Sequence, residues 1–176
     1  MAWTSKILAI ACMCVIGFCA YTVWDLNGSS FDFSGKQVVL IVTDSMDGDV
    51  NDYDINSFPA GTLVMVEQLS DNEKRFLRVG DVISYRTNGI LEHHRVVESN
   101  SGFYYVHGDN NHSTERVTLD QINGKIVGTN TWLGKTISYI GDNFLVFLGV
   151  SFAVCTSLIL LAVFSRGSEE ETKEVG

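Results

Sequence analysis

Cysteine is missing from the whole stretch between residues 25 and 143: Cys12, Cys14, Cys19 and Cys155 all fall in uncharged apolar segments nearer the two ends. That stretch has no disulfide framework and no thiolate zinc site to draw on, so ordinary packing must hold it together. Basic residues are scarce there as well, nine Lys and Arg against seventeen Asp and Glu, in a chain of net charge −9. Neutralising phosphates needs the opposite sign, which excludes nucleic acid as a partner. Proline occurs once, as Pro59 in NSFPAG, ahead of a candidate strand where its missing N–H does no harm. Sustained helical periodicity is absent from residues 25 to 143, and no repeat or low-complexity segment occurs apart from a short acidic tail.

Long apolar runs, by contrast, are present. Residues 7 to 24, ILAIACMCVIGFCAYTVW, carry no charge and would span about 27 Å as a helix, close to the thickness of a bilayer core. A cleavable secretory signal would end in a small-residue site; no Ala-x-Ala pattern follows, so the expectation is a retained anchor over residues 1–24. Residues 144–164, FLVFLGVSFAVCTSLILLAVF, are apolar on every face and read as a second transmembrane helix rather than a buried core helix. Lys6 precedes the first span and Arg166 follows the second, which places both ends, including the acidic tail 165–176, in the cytoplasm. The domain of residues 25–143 then lies on the extracytoplasmic side of a cell membrane that the chain crosses more than once.

That domain reads as mainly β. Apolar and β-branched runs alternate with Gly, Asn, Asp and Ser clusters, giving candidate strands at 37–42, 62–68, 81–86, 90–97, 103–107 and 125–129. Residues 132–140, WLGKTISYI, suit either an aromatic belt at the membrane interface or a core strand.

One serine stands out by position. In TDSMDGDV, Ser45 lies two or three residues beyond the apolar run 38–42, where a strand end can present a nucleophile. A serine hydroxyl attacks only when a base takes its proton. The four histidines, His93, His94, His107 and His112, all fall within twenty residues of one another. They could form a solvated strand face, or a metal site with Asp109 or Glu115. Adjacent His93 and His94 point to opposite faces of a strand, which argues against shared ligation, so neither metal nor cofactor is expected. The segment ESNSG marks a hairpin between 90–97 and 103–109. An even loop sets His94 opposite His107 with Asp109 diagonal to it; an odd loop sets His93 opposite Asp109 instead. The residues alone give a His-Asp couple and leave the histidine open.

The ordered set Ser45-Met46, Gly80-Asp81-Val82-Ile83, His94-Arg95-Val96 and Gly108-Asp109-Asn110-Asn111 resembles signal peptidase I of the archaeal and endoplasmic-reticulum type. The likeness runs on through ILEHHRVV and INGKIVG and covers most of residues 38 to 130. It implies a signal-peptidase-like β-fold and a membrane-bound serine endopeptidase that removes signal peptides from exported preproteins. Its partners would be those preproteins, membrane lipid and translocation machinery. The resemblance makes Ser45 the nucleophile, selects His94 as general base where other branches use lysine, and gives Asp109 the task of orienting the imidazole. It assigns the oxyanion donors to the Ser45 backbone N–H and the Thr43 hydroxyl. A second family acid falls at Glu115, a departure from the usual residue, with Asp120 as a weaker substitute.

Two further departures flank the nucleophile, Asp44 and Asp47, where the family has a small residue and a proline. A carboxylate beside Ser45 would oppose the developing oxyanion by about 1 kcal/mol if screened by solvent, so Asp44 must point away. The missing proline loosens the turn by roughly 0.5 to 1 kcal/mol. A catalytically inactive relative acting as a binding or assembly subunit is the alternative. A self-cleaving repressor on a similar fold would need a basic DNA-binding head, which this chain lacks.

Overall fold

A computed structural model describes residues 31–111 and 113–157, together with Ile16 and Gly17. Apart from Ile16 and Gly17, the expected first span lies outside the described residues, as do its Lys6 flank, His112, residues 158–164 of the second span and the acidic tail. The chain divides into two compact units, one of Leu26–Ser138 and another that includes the residues from Tyr139 onward.

The first unit is mainly β, as its composition indicated. Eight strands, β1 (Phe31–Phe33), β2 (Lys36–Leu40), β3 (Leu63–Gln68), β4 (Val82–Thr87), β5 (Ile90–Asn100), β6 (Phe103–His107), β7 (Glu115–Thr118) and β8 (Ile122–Asn130), form one sheet. The order is β1-β2-β3-β8-β4-β5-β6-β7, and every neighbouring pair is antiparallel. All six candidate strands are present; β1 and β7, three and four residues long, are too short to register as periodic runs.

Tight turns set the registers. Asn88 and Gly89 both take positive φ, 49° and 82°, the left-handed pair that a two-residue hairpin requires. That turn pairs Thr87 with Ile90, and so Tyr85 with Glu92 and Ile83 with His94. The β5–β6 hairpin also has a two-residue loop, Ser101-Gly102, but pairs Asn100 with Phe103 and then skips Val97. This bulge shifts the ladder by one, so Arg95, not His94, stands opposite His107. The even-loop expectation of a His94–His107 pair fails because it has neither this turn position nor the bulge.

Alternation gives each sheet face its own core. Val64, Val66, Val82 and Ile126 meet Ile41, Met46, Ile55 and Phe58 on one face; Ile83, Tyr85, Val96, Tyr104, Val106, Val117 and Ile122 meet Leu77 on the other. Ile122 and Ile126 reach opposite faces because β8 carries an extra residue between the partners of Ser84 and Tyr85. Met46 is 0% exposed, and burying its side chain stabilises the unit by about 1.5 to 3 kcal/mol while pinning the turn that bears Ser45.

Residues 131–142 correct the expectation of no helix between 25 and 143: they form α1, Thr131–Asp142. Its start is capped by Asn130, whose Oδ1 accepts the Leu133 N–H at 2.9 Å. Gly134 lets it pack closely, because a Cβ there would run into the Gly61 carbonyl and the Leu63 N–H. Such contacts override weak periodicity. A second helix, α2, covers Phe144–Ser157. No single described helix is long and apolar enough to cross a membrane; α1 and α2 pass by length and composition only as a pair. In α2 the hydroxyls of Thr156 and Ser157 donate to the Phe152 and Ala153 carbonyls, while Leu145, Val150 and Phe152 stay exposed.

Gly134→Ala is expected to destabilise the first unit by roughly 1 to 3 kcal/mol through backbone overlap. Gly128→Ala, whose Cβ would meet only Met65 at 4.0 Å, should change stability by less than about 0.5 kcal/mol. Urea unfolding of the full chain in detergent, followed by circular dichroism, measures both.

Candidate active site

The Ser45 turn is held by backbone bonds at every step. Asp47 N–H donates to the Asp44 carbonyl at 3.0 Å, Phe58 N–H to the Met46 carbonyl at 2.8 Å, and Asn110 N–H to the Ser45 carbonyl at 2.9 Å. The last bond ties the turn to the segment just beyond β6. Gly108 permits this approach: a Cβ there would sit 3.2 Å from the Ser45 Cβ and would strike the Ser45 carbonyl. Gly48 is constrained in the same way, since its Cβ would come within 2.7 Å of the Asp109 carbonyl oxygen. Ser45 is a half-buried residue, and its hydroxyl lies 3.3 Å from the exposed Thr43 hydroxyl. Among the described residues the Ser45 N–H has no acceptor, so it and Thr43 are available as donors. Asp44 turns its carboxylate to the Ala60 N–H at 2.9 Å, and Asp47 is exposed.

Asp109 is not where the resemblance put it. Its side chain is wholly buried and gripped by Arg95, with Nε to Oδ1 at 2.8 Å and Nη2 to Oδ2 at 2.6 Å. The Ser57 hydroxyl donates to Oδ2 at 2.6 Å. Arg95 directs its Nη1 hydrogens to the Ile55 and Gly80 carbonyls, at 2.8 and 2.9 Å, and lies 5.3 Å from the Tyr53 ring centre. The bulge explains this: with Arg95 opposite His107, Asp109 falls on the Arg95 face of β5 and His94 on the other. No hydrogen bond joins His94 to Asp109 among the described residues; the Asp109 carboxylate is bonded to Arg95 and Ser57 instead.

His94 is 6% exposed, and its Nδ1 meets the Tyr85 hydroxyl at 2.7 Å. The same phenol oxygen lies 2.9 Å from Glu115 Oε2 and 3.1 Å from Glu92 Oε2. Glu115 therefore does belong to the His94 surroundings, while Asp120 sits exposed in the turn after β7. Burial lowers the His94 pKa below its ordinary 6.5, opposed by the charges of Glu115, Glu92 and Asp109. Burial, then Glu115, raises that of Tyr85, which keeps the phenol protonated. Glu92, His94 and Glu115 offer ligand atoms within 4.8 Å of one another, as a cation site would. The Tyr85 phenol oxygen lies 2.7 to 3.1 Å from each of these three side chains, at hydrogen-bond rather than metal-ligand distances.

The link between Ser45 and His94 runs along the β5–β6 ladder. Arg95 pairs with His107, so His94 and Gly108 come next on the two strands, and Gly108 is the residue against which Ser45 packs. No hydrogen bond links Ser45 to His94 among the described residues; in unliganded enzymes such bonds are often long. His107 turns its Nδ1 to the Gly108 carbonyl at 2.7 Å. His93, the open alternative, is on the Arg95 face, and its buried Nε2 has no partner among the described residues. Sequence reasoning overlooked Tyr85, Glu92 and Ser57, although the Asn88-Gly89 turn signals the Tyr85–Glu92 pair by counting outward from it.

Burial and the neighbouring His94 lower the His93 pKa from 6.5 to about 4. Between those values the unfolded chain binds a proton that the folded chain refuses, so stability is full above 6.5 and falls toward pH 4. The expected loss attributable to His93 is up to about 3 kcal/mol. Urea unfolding across that pH range measures the slope, which His93→Phe should flatten without abolishing, since His94 acts in the same sense.

No protein-family model matches the chain, and no curated protein matches it in sequence.

Proposed function

We propose that the chain is a membrane-bound serine endopeptidase of the signal peptidase I type, cutting signal peptides from exported preproteins at the extracytoplasmic membrane surface. The observation that carries this reading is the Ser45 turn: the hydroxyl of a half-buried serine on a backbone-locked loop, its own N–H without an acceptor among the described residues, Thr43 beside it at 3.3 Å, packed on the residue next in line with buried His94. Apolar residues 7–24 and 144–164 would anchor the chain and hold its site near the membrane.

In the proposed reaction Ser45 Oγ attacks the scissile carbonyl as His94 takes its proton. The Ser45 N–H and Thr43 hydroxyl receive the oxyanion, and His94 then protonates the leaving amine. Water, deprotonated by the same imidazole, releases the acyl group and frees Ser45. Asp109 and Arg95 stabilise the loop wall behind the serine and take no part in proton transfer. Pairing Asp44 with Ala60 satisfies the requirement that this carboxylate not face the oxyanion.

The absence of a Ser45–His94 hydrogen bond favours one second reading, a catalytically silent relative that binds exported chains or assembles with translocation machinery. Ser45→Ala separates the two. Processing of a preprotein with small residues one and three positions before the cut should fall by at least about 10³-fold in detergent-solubilised protein. Unchanged processing by the purified variant refutes the peptidase. The rate should also lose activity on the acid side only below pH 6.5, because burial keeps His94 neutral to lower pH than a free imidazole.

A further inference from the structure

The β4–β5 hairpin puts Ile83 opposite His94 and Tyr85 opposite Glu92, so Tyr85, Glu92 and His94 share one face of the sheet. Glu115 joins them from β7, through the Val96–Val106 and Val106–Glu115 pairs. The phenol oxygen of Tyr85, whose residue is 1% exposed, stands at 2.7, 2.9 and 3.1 Å from His94 Nδ1, Glu115 Oε2 and Glu92 Oε2.

A phenol has one proton, and a carboxylate has none to donate. If the phenol donated to Nδ1, its own oxygen would face two carboxylate oxygens with no proton between them. If Nδ1 carries the proton, it donates to the phenol oxygen and the phenol donates to Glu115. The second arrangement satisfies two contacts where the first satisfies one, inside a site where unpaired polar groups are costly. It also leaves the other imidazole nitrogen, Nε2, with a free lone pair.

We propose that Tyr85, backed by Glu115 and Glu92, is the positioning residue that holds His94 in its Nδ1–H form and leaves Nε2 as the base. This rests on the peptidase reading for its purpose but not for its geometry. The Tyr85 hydroxyl does what a buried carboxylate does for the histidine of other serine hydrolases. It is one atom removed from the charge: the two glutamates stabilise the imidazolium through the phenol as the proton arrives on Nε2.

The test uses the full chain, labelled with ¹⁵N-histidine, in detergent micelles. Nitrogen shifts and couplings, with the His94 signals assigned by His94→Gln, should show Nδ1 protonated and Nε2 bare above the His94 titration. In Tyr85→Phe the proton should redistribute toward Nε2, and kcat for preprotein cleavage should fall by about 10- to 100-fold with KM unchanged. Circular dichroism checks that the variant folds. Glu115→Gln, which keeps the phenol, should instead move the acid limb of the rate to lower pH, and it serves if Tyr85→Phe does not fold. An Nε2–H form in the unaltered chain, an unchanged tautomer in Tyr85→Phe, or an unmoved acid limb in Glu115→Gln overturns the inference. An Nδ1–H form that Tyr85→Phe disturbs, in a chain that cleaves no preprotein, upholds the inference and removes the peptidase reading instead.

Discussion

The buried ion pair of Arg95 and Asp109 is the interaction on which the rest of the structure depends. The Asp109 carboxylate has no solvent contact, so its charge must be met inside the protein, and Arg95 meets both oxygens in a fork. Because the guanidinium also reaches the Ile55 and Gly80 carbonyls, one side chain joins β5 to the loop of residues 41–62, to the entry of β4 and to the segment after β6. Removing either partner of such a pair strands the other, a loss on the order of 3 to 5 kcal/mol in general. The serine turn leans on this assembly through Asn110 and Gly108 and inherits its rigidity.

Around that pair the sheet separates two polar environments. On the Arg95 face, charges are neutralised and His93 is driven to its neutral state by burial. On the His94 face, a phenol and two carboxylates surround an imidazole that burial alone would keep uncharged and that the glutamates draw back toward protonation. Adjacent histidines in a strand thus have opposite surroundings, and the reason is the pleat.

Strand placement was legible because half-buried strands alternate apolar and polar residues, and six such runs did fold as strands. The short edge strands carried too little pattern to see. Helix α1 was hidden because its face is set by contact with Gly61 and Leu63, through a glycine that has no hydropathy signal of its own. Ser45, His94 and Glu115 were singled out as candidates from order and resemblance. The Tyr85–Glu92 pair could have been read from Asn88-Gly89, since a two-residue turn determines every pair above it.

The amino-acid order by itself determined the β class, the lack of cysteine for a disulfide or thiolate-zinc staple between residues 25 and 143, the two apolar runs and the candidacy of one serine and one histidine. These are properties of composition and local spacing. Which acid serves which base was decided only by the tertiary structure. One skipped residue, Val97, moves β5 by a single step against β6, hands Asp109 to Arg95 and leaves His94 to Tyr85. Side chains alternate along a strand with a period of two, so a one-residue bulge exchanges the partners on both faces, and no local pattern announces where such a bulge will fall.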